Sequence, residues 1–212
     1  MKPWTLRALA ALLAYPDGEF AAALPEIRAA LAQDRALSGG VLDSLLAELT
    51  TLDPYAAEER YVSLFDRSRA LSLHLFEHLH GESRDRGQAM VDLAEQYAAR
   101  GFAVPAHELP DYLPSFLEFL SLLPETEARD CLGDAAHVLR ALGERLAARG
   151  SNYAEIFAAL LELAGKPGLK PCAVASPPAE EDLAAVERNW MEPEVRFGGP
   201  QPVRLYRKGA AP

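Results

Sequence analysis

The sequence predicts an all-α protein, a bundle of eight or more helices in one domain, and three observations predict it. Apolar residues recur at three- and four-residue spacing through most of the chain, which is the period of a helix with one buried face. Gly and Pro punctuate these stretches where helices start and stop. No alternating apolar and polar run of useful strand length occurs. At 212 residues, half of them hydrophobic, the chain is long enough to bury a real core.

Taken in order, Leu6, Leu9, Ala10 and Leu13 mark a first helix, stopped at Tyr15, Pro16, Asp17 and Gly18. Lys2 ahead of this apolar run resembles the front of a signal peptide. The run is short, however, Arg7 interrupts it, and no small-residue cleavage site follows, so a buried helix is expected. Phe20, Leu24, Ile27 and Leu31 form a second stripe, and Leu42, Leu45, Leu46 and Leu49 a third after Ser38-Gly39-Gly40. Asp53 followed by Pro54 reads as an N-cap with proline in the first turn, opening a helix with Ala57, Tyr61, Leu64 and Phe65 inward.

A break follows at 66–72, then a short helix over 74–79 and a turn at Gly81. A longer helix over 83–100 is expected to turn Met90, Leu93, Ala94 and Tyr97 inward and to close at Gly101. Pro110 and Asp111 are read as the start of the next, carrying Leu113, Phe116, Leu117 and Leu120. Residues 127–149 form the longest helix, and Asn152 with Glu155 three residues on reads as a capping pair for the last. Residues 1–165 are assigned to the helical domain. Residues 166–212 are assigned to a Pro/Gly-rich linker, a short helix and a flexible basic tail.

Composition narrows the function. Thirty-one acids against 21 Lys plus Arg give a net charge of −10, which disfavours nucleic acid and favours a basic partner. Two distant cysteines, Cys131 and Cys172, fit a reducing compartment. No run approaches the length needed to span a bilayer. A cytoplasmic protein without membrane insertion is therefore expected.

Chemistry concentrates in residues 61–92. His74, Glu77 and His78 match the H-x-x-E-H pattern of inverted zinc proteases, in which two imidazoles four residues apart share a helix face. A zinc-dependent hydrolase is the alternative this pattern raises. The leucine-rich surroundings and the lack of a third ligand favour packed, hydrogen-bonded histidines and no resident metal. The loop bearing Glu82, Arg84, Asp85 and Arg86 lacks the glycines of a phosphate cradle and is read as ion pairs that fix a turn. From 101 to 128 the chain has no Lys or Arg, while Glu108, Asp111 and Glu118 alternate with aromatics. Such a segment is either a solvated acidic helix face or a groove for a basic amphipathic peptide. Nucleophile arrangements such as G-x-S-x-G are absent, and no enzyme activity is assigned.

Residues 64–93, LFDRSRALSLHLFEHLHGESRDRGQAMVDL, carry a long and dense resemblance to the NarJ-type family, the assembly chaperones of respiratory nitrate reductase. The stretches LLAYP (12–16), ELPDYLPSFLEFL (108–120) and WMEP (190–193) agree with it. The second is similar to the E-P-x-D-H motif of the wider TorD/DmsD group but carries Tyr112 for the histidine, so a role specific to that histidine does not transfer. The resemblance implies an all-helical chaperone with no cofactor of its own. Its partner would be the N-terminal segment of the catalytic subunit, with molybdenum cofactor delivery proteins as further partners. It would hold that subunit open for molybdenum cofactor and iron–sulfur cluster insertion and delay membrane docking.

Residues and resemblance together suggest a binding surface. A basic amphipathic helix would lay its apolar face on Tyr61, Phe65, Leu75 and Phe116 and its cations against Asp66, Glu77, Glu108 and Asp111, with His78 and Tyr112 alongside. The tail, where Arg196, Arg204, Arg207 and Lys208 alternate with apolar residues, is either solvated or a competitor for that surface.

Overall fold

The structure, a computed structural model, describes residues 1–79, 85–105 and 108–170. Among them are nine α-helices and one 3-10 turn: α1 (Pro3–Leu13), α2 (Phe20–Ala32), α3 (Asp43–Thr51), α4 (Pro54–Phe65), the turn Arg69–Leu71, α5 (Leu75–Leu79), α6 (Asp85–Ala99), α7 (Leu113–Leu120), α8 (Glu125–Ala148) and α9 (Ala154–Leu163). The all-α expectation holds. Helix α8 lies along α9, and α1 is sandwiched between α2 and α7.

The predicted stripes supply the core. Leu9, Leu12, Leu13, Leu117, Leu139 and Leu160 are fully buried, each contributing roughly 1.5–3 kcal/mol against the exposed state. Asp53 accepts from the Tyr55 N–H as an N-cap, with Pro54 in the first turn. Gly101 closes α6 with φ of 74°, a left-handed conformation that costs a residue with a Cβ atom.

Several local expectations are corrected. Helix α7 begins at Leu113, not at Pro110 and Asp111, because those two residues form a turn, closed by the Tyr112 N–H on the Leu109 carbonyl at 3.1 Å, after which the chain pairs with 73–75. The Leu113 N–H donates to the Leu73 carbonyl at 2.8 Å and the Leu75 N–H to the Asp111 carbonyl at 3.0 Å, forming an antiparallel bridge between His74 and Tyr112. That bridge also leaves His74 ahead of α5. Ala94 is exposed, while Tyr97 is buried in the core and Leu93 packs against it, half-buried.

Asn152 and Glu155 do not cap α9. Glu155 Oε2 accepts from the Leu45 N–H at 3.0 Å, and Asn152 Nδ2 donates to Glu48 at 2.7 Å. Helix α3 has no side-chain cap of its own, so a carboxylate from α9 satisfies one of its orphan N–H groups. Asp34 serves α1 in the same way, accepting from the Lys2 N–H at 2.7 Å and from Thr5 Oγ1 at 2.6 Å.

Residues 166–170, the first part of the expected linker, pack on α8. Arg140 donates to the Pro167 and Gly168 carbonyls, and Leu169 fills the space beside Gly143. The short helix and basic tail expected beyond residue 170 lie outside the described residues, as do Glu82, Arg84 and the turn at Gly81.

Candidate functional site

The end of α1, the end of α4, the 72–74 segment and Tyr112 enclose a pocket of ≈180 Å³, lined by Tyr15, Tyr61, Phe65, Asp66, Ser72, Leu73, His74 and Tyr112. Its floor is set by tyrosine geometry. Tyr61 donates its hydroxyl proton to the Leu13 carbonyl at 2.9 Å, satisfying a C-terminal carbonyl of α1. Tyr15 stands edge-on to Tyr61, with ring centroids 5.6 Å apart, and donates to Glu58 Oε2 at 3.0 Å. The Tyr112 hydroxyl lies 3.1 Å from that of Tyr61, and the Tyr112 ring is 5.4 Å from the His74 imidazole.

Behind this floor stands Asp111, fully buried. Its Oδ2 accepts from the Phe76 N–H at 3.1 Å, and its Oδ1 lies 3.1 Å from His74 Nδ1. A carboxylate only accepts, so Nδ1 carries the proton in this contact. The hydrogen bond raises the His74 pKa above its ordinary value, against an opposing effect of burial. Burial pushes the Tyr61 and Tyr112 hydroxyls up, and the nearby Asp66 charge adds to both. For Tyr15 the hydrogen bond to Glu58 comes first, and Asp66 again contributes. Asp66 is exposed and lines the pocket, where its charge acts on all three hydroxyls.

The residues predicted for a binding surface divide by depth. Tyr61, Phe65, Leu75 and Phe116 are buried in the core and offer little open surface; Tyr61 and Phe65 form part of the pocket wall, and Leu75 and Phe116 do not line it. Asp111 is likewise beneath the surface, organising His74 and the start of α5. Tyr112 is half-buried and Asp66 exposed, and these two line the pocket together with Tyr61 and Phe65. Glu77 is paired with Arg86 at 3.5 Å. Among the predicted loop-fixing ions, Arg86 therefore reaches α5 and Asp85 opens α6 in an exposed position. Glu108 accepts from the Ser115 hydroxyl at 2.5 Å.

His78 Nε2 donates to the Ser72 carbonyl at 2.8 Å. The two histidines of the H-x-x-E-H pattern thus have separate partners, Asp111 and Ser72. Among the described residues no group of three His, Cys, Asp or Glu side chains is placed to hold a metal.

Tyr15, Glu58 and Ser72 were not predicted. Tyr15 lies in the LLAYP stretch, a signal that was available. Glu58 has no distinguishing local pattern, because its role comes from α4 lying beside the end of α1. A second, more apolar groove of ≈440 Å³ runs between α6 and residues 101–104, lined by Ala94, Tyr97, Ala98, Phe102, Val104 and Pro110 among others. The base-free segment therefore contributes to two sites, Phe102 and Val104 to this groove and Tyr112 to the tyrosine pocket.

Fold and pocket together define an all-helical protein whose described surface offers a small, acid-mouthed, tyrosine-lined recess. Residues 15–159 match the family of nitrate reductase delta subunits. The chain is 43% identical over 198 residues to NarJ of Escherichia coli K12, a nitrate reductase molybdenum cofactor assembly chaperone, covering 88% of this chain and 81% of that protein. It is 38% identical over 196 residues to NarW of the same organism (91% and 83% covered), and 34% identical over 160 residues to NarJ of Bacillus subtilis 168 (74% and 86% covered). Both of these are described as probable chaperones of the same kind. The chain belongs to the nitrate reductase delta subunit family.

Proposed function

We propose that this protein is a dedicated chaperone for the assembly of respiratory nitrate reductase. It binds the N-terminal segment of the catalytic subunit in the cytoplasm, keeps that subunit competent for molybdenum cofactor and iron–sulfur cluster insertion, and delays membrane docking until maturation is complete. It is not an enzyme and carries no cofactor of its own; molybdenum cofactor delivery proteins are further partners. The observation that carries this reading is the 43% identity to an assembly chaperone along 88% of the chain. It is supported by the meeting of three family-like stretches at one pocket, represented by Tyr15, by Asp66 with His74, and by Tyr112. No described helix is long and apolar enough to cross a membrane, and the net charge of −10 suits a basic client segment, since opposite charge speeds encounter and selects partners.

Co-purification tests it. Tagged protein from nitrate-respiring cells is expected to retain the full-length catalytic subunit and to lose it when that subunit's N-terminal segment is deleted. Equal retention of both forms would overturn the assigned binding segment. Retention of neither, with normal nitrate reductase activity in cells lacking this chain, would overturn the chaperone role.

A further inference from the structure

We infer that the tyrosine pocket is an anchor for one cationic side chain, an arginine or lysine of the bound segment, recognised through the tyrosine oxygens and rings and the Asp66 carboxylate. The inference rests on the proposed function for the source of that cation, but the pocket's selectivity follows from where its protons already point. A phenol has one proton to donate. That of Tyr61 is committed to the Leu13 carbonyl, so in the contact between Tyr61 and Tyr112 the donor must be Tyr112. That of Tyr15 is committed to Glu58. All three hydroxyl protons are therefore spent on the protein itself, and what the tyrosines present to the recess is oxygen lone pairs and ring faces.

The recess is mouthed by Asp66, which makes no ion pair among the described residues, and whose charge is felt at all three hydroxyls. Glu58 adds a second carboxylate behind Tyr15. An anionic or purely accepting ligand finds no tyrosine donor here, whereas an ammonium or guanidinium finds acceptors, a carboxylate and π faces. The volume, ≈180 Å³, is below the roughly 300–1,000 Å³ of sites that take a drug-sized molecule and suits a single side chain. Phe65 and Leu73 supply apolar wall for its methylene stem.

The test uses the full chain and two kinds of probe. The first is arginine amide, followed by ring 13C–1H spectra of the tyrosines, with Tyr15→Phe and Tyr112→Phe for assignment and the buried Tyr97 and Tyr153 as internal controls. Saturable shifts at Tyr15 and Tyr112, absent with citrulline amide and absent in Asp66→Asn, are expected. Asp66 is exposed, so that variant should fold, and unchanged signals at Tyr97 and Tyr153 would verify it. Equal shifts with the uncharged citrulline amide, or none with either probe, would overturn the anchor.

The second probe is a synthetic N-terminal segment of the catalytic subunit with each basic residue replaced in turn by a neutral isostere. One position is expected to lose about tenfold or more in affinity in wild type but little in Asp66→Asn. Losses spread evenly over all basic positions would overturn the anchor and leave the chaperone reading intact. A segment that fails to bind while arginine amide still shifts the tyrosines would overturn the assigned client and leave the anchor standing.

Discussion

At the scale of single residues, two buried carboxylates act through hydrogen bonds that titrate in opposite senses. The Asp111 carboxylate holds His74 above its ordinary pKa. A raised folded-state value means that the stability from this contact is fully present below the unfolded value, about 6.5, and is lost as pH rises through the folded value. Thermal melts should therefore show wild type ahead of His74→Gln by a larger margin at about pH 6 than at about pH 8.5. A pH-independent margin would sink that account. Asp34 behaves in the reverse way. Burial alone would raise it, but hydrogen bonds from Thr5, Ala36 and Lys2 together hold it below the usual carboxylate range. Its contribution is present above the unfolded pKa and lost as pH falls through the lowered one. Asp34→Ala should cost about 1.5–3 kcal/mol at neutral pH, since it leaves the Lys2 N–H and the buried Thr5 hydroxyl without their acceptor. Denaturant unfolding measures it, and a change near zero would mean water replaces the carboxylate.

At the scale of elements, helices were legible where periodicity decides them and misread where a partner from elsewhere decides. The leucine stripes of α1, α3, α7 and α8 buried as their spacing required, because a 3.6-residue period has one face to bury. Asn152 and Glu155 had the spacing of a capping pair, yet each is held by α3, an interaction visible only once α9 and α3 are neighbours. Asp111 looked like a surface acid because its neighbours are acidic. The bridge between His74 and Tyr112 draws it inward, and no local signal encodes that pairing. The pocket was half legible for the same reason: Tyr61, Phe65, Asp66 and Tyr112 stood out, while Glu58 meets Tyr15 only because α4 lies beside the end of α1. Gly143 carries a prediction of this kind. A Cβ there would lie 2.7 Å from Leu169 Cδ2 and 2.8 Å from Phe157 Cβ. Leu169 can swing away but the Phe157 Cβ belongs to the helix wall, so Gly143→Ala should destabilise by about 1–3 kcal/mol. Adding Leu169→Ala should recover part of that loss and no more, as a double-mutant cycle would register. Full recovery would show that Leu169 alone, and not the α8–α9 approach, requires glycine.

At the scale of the whole molecule, the question is where the folded unit ends and whether the remainder competes with the client. Texture alone placed the boundary at 165, after the glycine that closes α9, because Lys166 onward is rich in proline and small residues. The contacts of Arg140 with residues 167 and 168, and of Leu169 with the Gly143 notch, carry the packed chain to Lys170. A chain ending at Lys170 keeps these contacts. One ending at Gly165 should lose about 1–2 kcal/mol from the missing hydrogen bonds and apolar contact, lowering Tm by about 2–4 °C per kcal/mol for a protein of this size. Identical melting of the two truncations would return the boundary to 165. The same pair decides the role of the basic tail, which carries Arg196, Arg204, Arg207 and Lys208 and no acid after Glu194. If the tail is solvated, the chain ending at Lys170 binds the client segment as tightly as full length, and that is the expected titration result. If it occupies the acid-mouthed pocket, truncation raises the apparent affinity, because a tethered competitor at high effective concentration has been removed. That gain should then shrink in Asp66→Asn, where tail and client alike have lost the carboxylate they would contest.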